Sequence, residues 1–258
     1  MKNNQGLKLA AIYSYPPSRL GFCGKKTKNT AQLISDYLTG KNKQQEKIKK
    51  VLTAFEAAYP YLKLIAKANN LSPFNKKVVE AFWLGNSLLL QVKVSDLKAM
   101  VLKEFTKQGL LSKKEALTRI AKIRPNSKPH HSFHVFVLGP VTGRIKFNLK
   151  LYDLCRISWA KIIRIYGRDY QVYGGTKKIV VKYQPIISKN NKFTLGKEVE
   201  KQVYWNKRFI KTLKPGDLVA LHWDIICQKI DKGKINSLQK FTLLSMNSTS
   251  NTGIKSPN

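Results

Sequence analysis

The sequence predicts an α+β protein, an N-terminal helical bundle followed by a small OB-like C-terminal β-barrel with a terminal helix. Three observations carry this. The 258 residues are 43% apolar, enough for a sizeable core and too much for a disordered chain. From about Asn29 to Ile123 the apolar residues recur at helical spacing. After Arg124-Pro125 the texture changes to short runs rich in Ile, Val, Tyr and Trp, punctuated by Gly, Asn and Pro.

The elements follow in order. Met1–Ser18 holds one short apolar run, Leu9–Tyr13, below the roughly 7–15 residues of a signal-peptide core, so export is not expected. Tyr15–Gly24 reads as an irregular segment, because Pro16-Pro17, Gly21 and Gly24 favour an extended, sharply turned path. Leu33, Ile34, Tyr37 and Leu38 share a helical face, and Ile48, Val51, Leu52, Phe55 and Tyr59 share another up to a break at Pro60. Leu62–Ala68, Lys76–Val92, Asp96–Phe105 and Lys113–Ile123 are further helices, the last entered through a Ser112/Glu115 capping box. Phe147–Leu154 reads as a lead-in helix, and Ile157, Trp159, Ile163 and Ile165 as the inward face of a first strand headed by Cys155. Ile179, Val181 and Tyr183 alternate likewise, and Ser237–Ser245 closes the barrel as a helix. The organisation expected is a helical domain over 1–128, a His-rich junction and lead-in helix over 129–154, a barrel over 155–246 and a flexible tail over 247–258.

Charge and cysteine content narrow the function classes. Forty-eight Lys and Arg against 14 Asp and Glu give a formal net charge of +34. Residues 1–129 carry +18 and residues 130–258 carry +16, and Lys outnumbers Arg forty to eight. That evenness fits a solvated lysine coat better than a phosphate-binding arm. Ala81–Val94, the most apolar long stretch, is interrupted by Asn86, Ser87, Gln91 and Lys93, so no membrane span is expected and the protein is placed in the cytoplasm. Cys23, Cys155 and Cys227 are an odd number without a CxxC spacing, against a disulfide framework or a ribbon-type zinc site.

The remaining chemistry-bearing residues are few. Pro129-His130-His131-Ser132-Phe133-His134 holds three of the four histidines. His130 and His134 fall on one side of a helix or a strand, where they could meet one metal; the alternative is that they cap and pack at the junction. Cys23, flanked by glycines, is either a ligand-accessible thiol or a small buried one. Cys155 and His222 lie at places a barrel could bring to one rim, as a two-ligand site with open positions, Arg156 and Trp223 standing beside them. GxSxG, HExxH, P-loop and GxGxxG patterns are missing, so an enzyme is not favoured, although a Cys155–His222 nucleophilic pair stays open.

The run from Cys155 through Ile-Ser-Trp to Tyr166-Gly167, with Lys214-Pro-Gly-Asp-Leu-Val-Ala-Leu-His222-Trp-Asp-Ile-Ile-Cys227 later, resembles the HypC/HupF hydrogenase-assembly chaperone family. The resemblance covers the last third of the chain. It implies a HypC-like barrel in which Cys155 and His222 handle iron destined for nickel–iron hydrogenase, with a maturation protein or hydrogenase precursor as partner. The whole chain, through YPPxRLGFCG, PHHSFHVF, CRISW and LHW, also resembles a set of uncharacterised prokaryotic proteins. The leading expectation is therefore an accessory protein for metallocentre assembly, with His130, His131 and His134 as a second or supporting site. The alternative is a single-stranded RNA-binding barrel that stacks bases on Tyr166, Tyr170, Tyr173, Tyr183, Trp205 and Phe209.

Overall fold

Leu7, Ala10, Ala11 and Ser14 recur at helical spacing and are buried along one side of the first helix, α1 (Asn4–Arg19). The computed structural model describes residues 4–24, 29–42, 44–166, 171–172 and 176–249. Helix α1 carries Pro16 and Pro17 in its last turn, so the segment from Tyr15 is helical up to Arg19 and irregular only beyond it. Prolines at that position remove hydrogen bonds to carbonyls further back without stopping the turn that precedes them.

Helices α2 (Thr30–Leu38) and α3 (Gln45–Thr53) follow. The apolar pattern running on to Tyr59 does not form one helix: α3 ends at Thr53, and α4 (Tyr59–Ala68) starts with Pro60 in its first turn, where the missing N–H costs nothing. The stretch Lys76–Val92 is likewise two pieces, α5 (Lys76–Trp83) and a 3-10 turn Ser87–Gln91. Gly85 separates them at φ 84°, and a Cβ there would stand 2.3 Å from the Phe241 ring. Helices α6 (Val94–Lys107) and α7 (Lys113–Ile120) complete the helical half. The expected capping box is present at α7: the Ser112 hydroxyl accepts from the Glu115 N–H at 3.2 Å, and the Glu115 carboxylate accepts from the Ser112 N–H at 2.8 Å. Ser112→Ala is expected to lower stability by about 1 kcal/mol in urea unfolding; an unchanged midpoint would show that the box contributes nothing.

A three-residue helix α8 (His131–Phe133) runs directly into a π-helical turn, His134–Leu138. After α9 (Leu149–Cys155) the chain enters eight strands: β1 (Ser158–Ile165), β2 (Gln171–Val172), β3 (Thr176–Tyr183), β4 (Ile186–Lys189), β5 (Lys192–Leu195), β6 (Val199–Asn206), β7 (Leu218–His222) and β8 (Ile225–Lys229). Strands β1, β7, β8, β6 and β3 pair in that order, and a β1–β3 pairing closes them into a five-stranded barrel. β2 adds to β3, and β4 with β5 forms a separate hairpin whose turn residues, Asn190 and Asn191, take the positive φ such turns require. Helix α10 (Lys232–Asn247) covers the end, longer than Ser237–Ser245 at both termini because Asp231 caps it. Of the expected tail, residues 250–258 lie outside the described residues.

The inward face of β1 is the opposite of the expected one up to Ile162; a register shift between Ile162 and Arg164 then restores the expected parity, and Ile165 packs on the barrel core. Ser158, Ala160 and Ile162 are buried on the barrel side, Ala160 and Ile162 packing with Ile179, Val181, Val203 and Leu221. Ile157 and Trp159 instead join the helical core, together with Ala220 and Cys227. Both faces of this wall are covered, so its apolar residues do not alternate cleanly and the pattern is ambiguous by one residue. The same parity along β7 turns Val219 and Leu221 into the barrel and puts Ala220 and His222 on the face that meets α1.

Candidate metal centre

Cys155 is the last residue of α9, not the head of a strand. The Asn148 side chain accepts from the Leu151 N–H at 3.0 Å to start that helix, and Arg156, at ψ 151°, ends it before β1 begins at Ser158. The thiol therefore leaves a helix C-terminus beside the β7–β8 turn. That turn consists of Trp223 and Asp224 at φ 51° and 59°, an expensive conformation for a bulky residue. The Trp223 N–H donates to the Leu154 carbonyl at 2.9 Å, and Asp224 is ion-paired to Lys201 at 2.5 Å. These contacts hold the indole against Phe22, with ring centroids 4.8 Å apart.

His222 owes its tautomer to the double proline. In α1 the residues that would donate to the carbonyls of Ile12 and Tyr13 are Pro16 and Pro17, which have no N–H. Both carbonyls are taken from the barrel side. The Cys227 thiol approaches Ile12 O at 3.9 Å, and His222 Nδ1 lies 2.8 Å from Tyr13 O. A carbonyl only accepts, so Nδ1 carries the proton and the lone pair stays on Nε2. Nε2 is buried and has no hydrogen-bond partner.

The three clustered histidines have three different fates. His130 Nδ1 accepts from the Ser132 N–H at 3.1 Å as the cap of α8, and its ring stacks on Phe241. His134 Nδ1 is 3.1 Å from the Tyr61 hydroxyl. The expected His130/His134 pairing on one ligand is thus not what the fold builds: His134 Nδ1 is taken by Tyr61, and His130, whose Nε2 is buried without a partner, packs on Phe241 outside the group that converges on Cys155. His131 is the one that reaches Cys155 and His222. Its Nδ1 is buried without a partner, and Trp83 packs against both rings at 4.7 and 5.5 Å.

One donor atom from each of His131, Cys155 and His222 lies within 4.8 Å of the other two, and all three residues are buried. In a tetrahedral site with bond lengths of about 2.0–2.3 Å, donors stand roughly 3.3–3.6 Å apart, so closing on one ion asks each donor to move inward by less than about 1 Å. The donors line a cavity of about 40 Å³ walled mainly by apolar side chains, among them Phe22, Phe55, Val141 and Trp223. That is room for roughly three water-sized groups.

Burial sets the protonation states. Desolvation pushes His131 well below the ordinary imidazole value, and the neighbouring His222, His134 and His130 push it the same way. It lowers His222 to about 4 against the opposing pull of the Tyr13 and Cys155 carbonyls. Both rings are neutral near neutral pH, the form that binds metals. Burial and the Cys23 thiol raise Cys155 well above the ordinary thiol value, with the Trp223 indole N–H acting in the opposite direction. A protonated thiol is a poor nucleophile, which weighs against a Cys155–His222 hydrolase. A divalent cation reverses the balance, since ligation deprotonates a thiol outright.

The other singled-out residues are accounted for. Arg156 is a buried structural cation, ion-paired to Asp153 at 3.0 Å. Cys23 lines the same cavity as the cluster, and the buried Cys227 thiol lies 3.5 Å from the Ile225 carbonyl and 3.9 Å from that of Ile12. Tyr183, Trp205 and Phe209 are buried at 7, 3 and 6% exposure, so they cannot stack bases on a folded barrel. Tyr166 is half-buried, and Tyr170 and Tyr173 lie outside the described residues. No helix among the described residues is long and apolar enough to cross a membrane.

A family model described as "Family of unknown function (DUF6390)" matches residues 2–255. No curated protein and no solved structure matches the chain.

Proposed function

We propose that this chain, which belongs to the DUF6390 family, binds a divalent transition metal through His131, Cys155 and His222 and serves as an accessory protein in metallocentre assembly. One observation carries the reading. Two buried imidazole nitrogens without partners and a buried thiol converge in a cavity whose other walls are mostly apolar. Each buried unsatisfied polar atom costs about 1–3 kcal/mol, and ligation removes that cost while leaving a fourth position open. A closed structural site fills all four positions, so a three-ligand set suits an ion that is to be acted on or passed on. The resemblance of the last third to the HypC/HupF family supports iron as the cargo and a maturation protein or hydrogenase precursor as recipient. A lysine coat of net charge +34 favours an acidic partner through long-range attraction.

Metal analysis of anaerobically purified protein, followed by titration with Fe(II), Co(II) or Zn(II), tests the site. About one ion per chain is expected for wild type. Cys155→Ala, His131→Ala and His222→Ala are each expected to lose at least about 100-fold in affinity. His130→Asn, which keeps an acceptor at the α8 cap, is expected to bind as wild type does. Binding releases one proton from each thiol that ligates, the rings being neutral already, so the logarithm of the affinity should rise by at least about one per pH unit near neutrality. Equal metal content in wild type and the three ligand variants, or no binding by wild type at micromolar metal, would overturn the reading.

A further inference from the structure

We infer that Cys23 is the fourth ligand, completing a Cys2His2 set with Cys155, His131 and His222; this rests on the metal-site reading above. The three residues of the cluster leave one tetrahedral vertex unfilled, and Cys23 lines the same cavity. His131 and His222, 5 and 1% exposed, each carry a buried nitrogen without a partner, and both residues line that cavity.

The main chain around Cys23 is built to hold it there. The N–H groups of Phe22 and Cys23 both donate to the Pro17 carbonyl, at 2.9 and 3.4 Å, turning the chain back over the end of α1. Gly24 is then gripped at both of its backbone groups: its N–H donates to Glu56 at 3.1 Å, and its carbonyl accepts from Arg144 at 2.7 Å. Arg144 and Glu56 are themselves ion-paired at 2.8 Å. No side chain fits at Gly24, where φ is 84° and a Cβ would meet the Phe55 ring at 2.8 Å. This buckle fixes the main chain at Cys23, whose side chain is half-buried against the helical core and lines the cavity.

Cys23 is not among the donors that already lie within 4.8 Å of one another, so ligation draws its loop inward. The same ion then has two coordination states. With Cys23 engaged it is four-coordinate and shielded from water; with Cys23 released it is three-coordinate and open to a recipient. Two thiolates and two imidazoles select zinc, iron(II) or cobalt(II) over magnesium, calcium or manganese.

Cobalt(II) is the probe, added to the full chain without oxygen. Wild type is expected to give the intense visible bands of a tetrahedral ion and thiolate-to-cobalt charge transfer from two sulfurs. Cys23→Ser is expected to keep one cobalt per chain with about half of that charge transfer and about 10- to 100-fold weaker binding. Cys155→Ser is expected to fall much further, since it removes a donor already in place. X-ray absorption on zinc-loaded wild type, which needs no variant, should count two sulfur and two nitrogen neighbours. A wild-type spectrum from Cys23→Ser, or one sulfur neighbour in wild type, would sink the role of Cys23 while leaving the three-ligand site standing. Failure of wild type to bind cobalt or zinc at all would instead overturn the metal reading and this inference with it.

Discussion

Metal-free protein, held in chelator and taken from about pH 7 to about pH 5, is expected to lose most of its folding stability. The four histidines are the reason. Burial lowers His130 and His134 to about 3 and His222 to about 4, and His131 lies well below the ordinary value of 6.5. Below pH 6.5 the unfolded chain takes up protons that the folded chain refuses. Stability present above that pH is therefore lost progressively as pH falls toward the folded values. At about pH 5 each such group costs roughly 2 kcal/mol, and four cost roughly 8 kcal/mol, comparable to the whole stability of a typical domain. Carboxylates with lowered values, Asp217 and Glu115, act below the ordinary carboxylate range and so in a separate, more acid window. Urea midpoints measured across this range check the expectation, and a midpoint flat from about pH 7 to 5 would refute it. Saturating metal should move the loss to lower pH, because His131 and His222 then hold an ion in place of a proton.

Arg156→Met is expected to cost about 3–5 kcal/mol. The guanidinium is 1% exposed and donates to Asp153 and to the Gln184 carbonyl, with Trp159 beneath it. Asp153 also accepts from the Tyr183 hydroxyl at 3.0 Å and the Ile186 N–H at 2.9 Å. This network ties the last turn of α9 to the end of β3 and the start of β4. Removing the cation leaves a carboxylate little exposed to water and without a counter-charge, which is the costly half of breaking such a pair. Asp153→Leu combined with Arg156→Met should recover only part of the loss: it removes the uncompensated charge but leaves the Tyr183 hydroxyl and the Ile186 N–H without their acceptor. A loss under about 1 kcal/mol in the single variant would show that the network is not holding the junction. Cys155 is the neighbouring residue, so metal affinity is expected to weaken along with stability.

Several parts of the site could be read from the residues and others could not. Cys155 and His222 stand out in a chain with three cysteines and four histidines, and the end of α9 and the end of β7 bring them together. The selection of His131 from a cluster of three is a different matter. Adjacent residues in a helical turn point about 100° apart, so which ring reaches Cys155 depends on where α8 starts and how the π-helical turn continues it. The capping of α8 by His130 settles that start. Pro16-Pro17 was visible as a breaker, but its effect lies in the two carbonyls it leaves free, and these gain meaning only when β7 and β8 arrive with His222 and Cys227. The face of β1 is ambiguous for the opposite reason: Ile157 and Trp159 pack on the helical core while Ala160 and Ile162 enter the barrel, and a register shift between Ile162 and Arg164 changes the parity within the strand.

The sequence by itself determined the helical half, the change to strands after Arg124-Pro125, the Ser112 capping box and the terminal helix. Each of these rests on local dihedral preference, hydrophobic period or a hydrogen bond between residues a few positions apart. Only the tertiary structure decided that His131, Cys155 and His222 converge, that Cys23 lines the same cavity, and that Tyr13 orients the His222 ring. Residues separated by tens to hundreds of positions meet through the packing of one core that runs from the helices onto the barrel wall. No local rule encodes that packing, because what fixes it is the burial of side chains from every element at once.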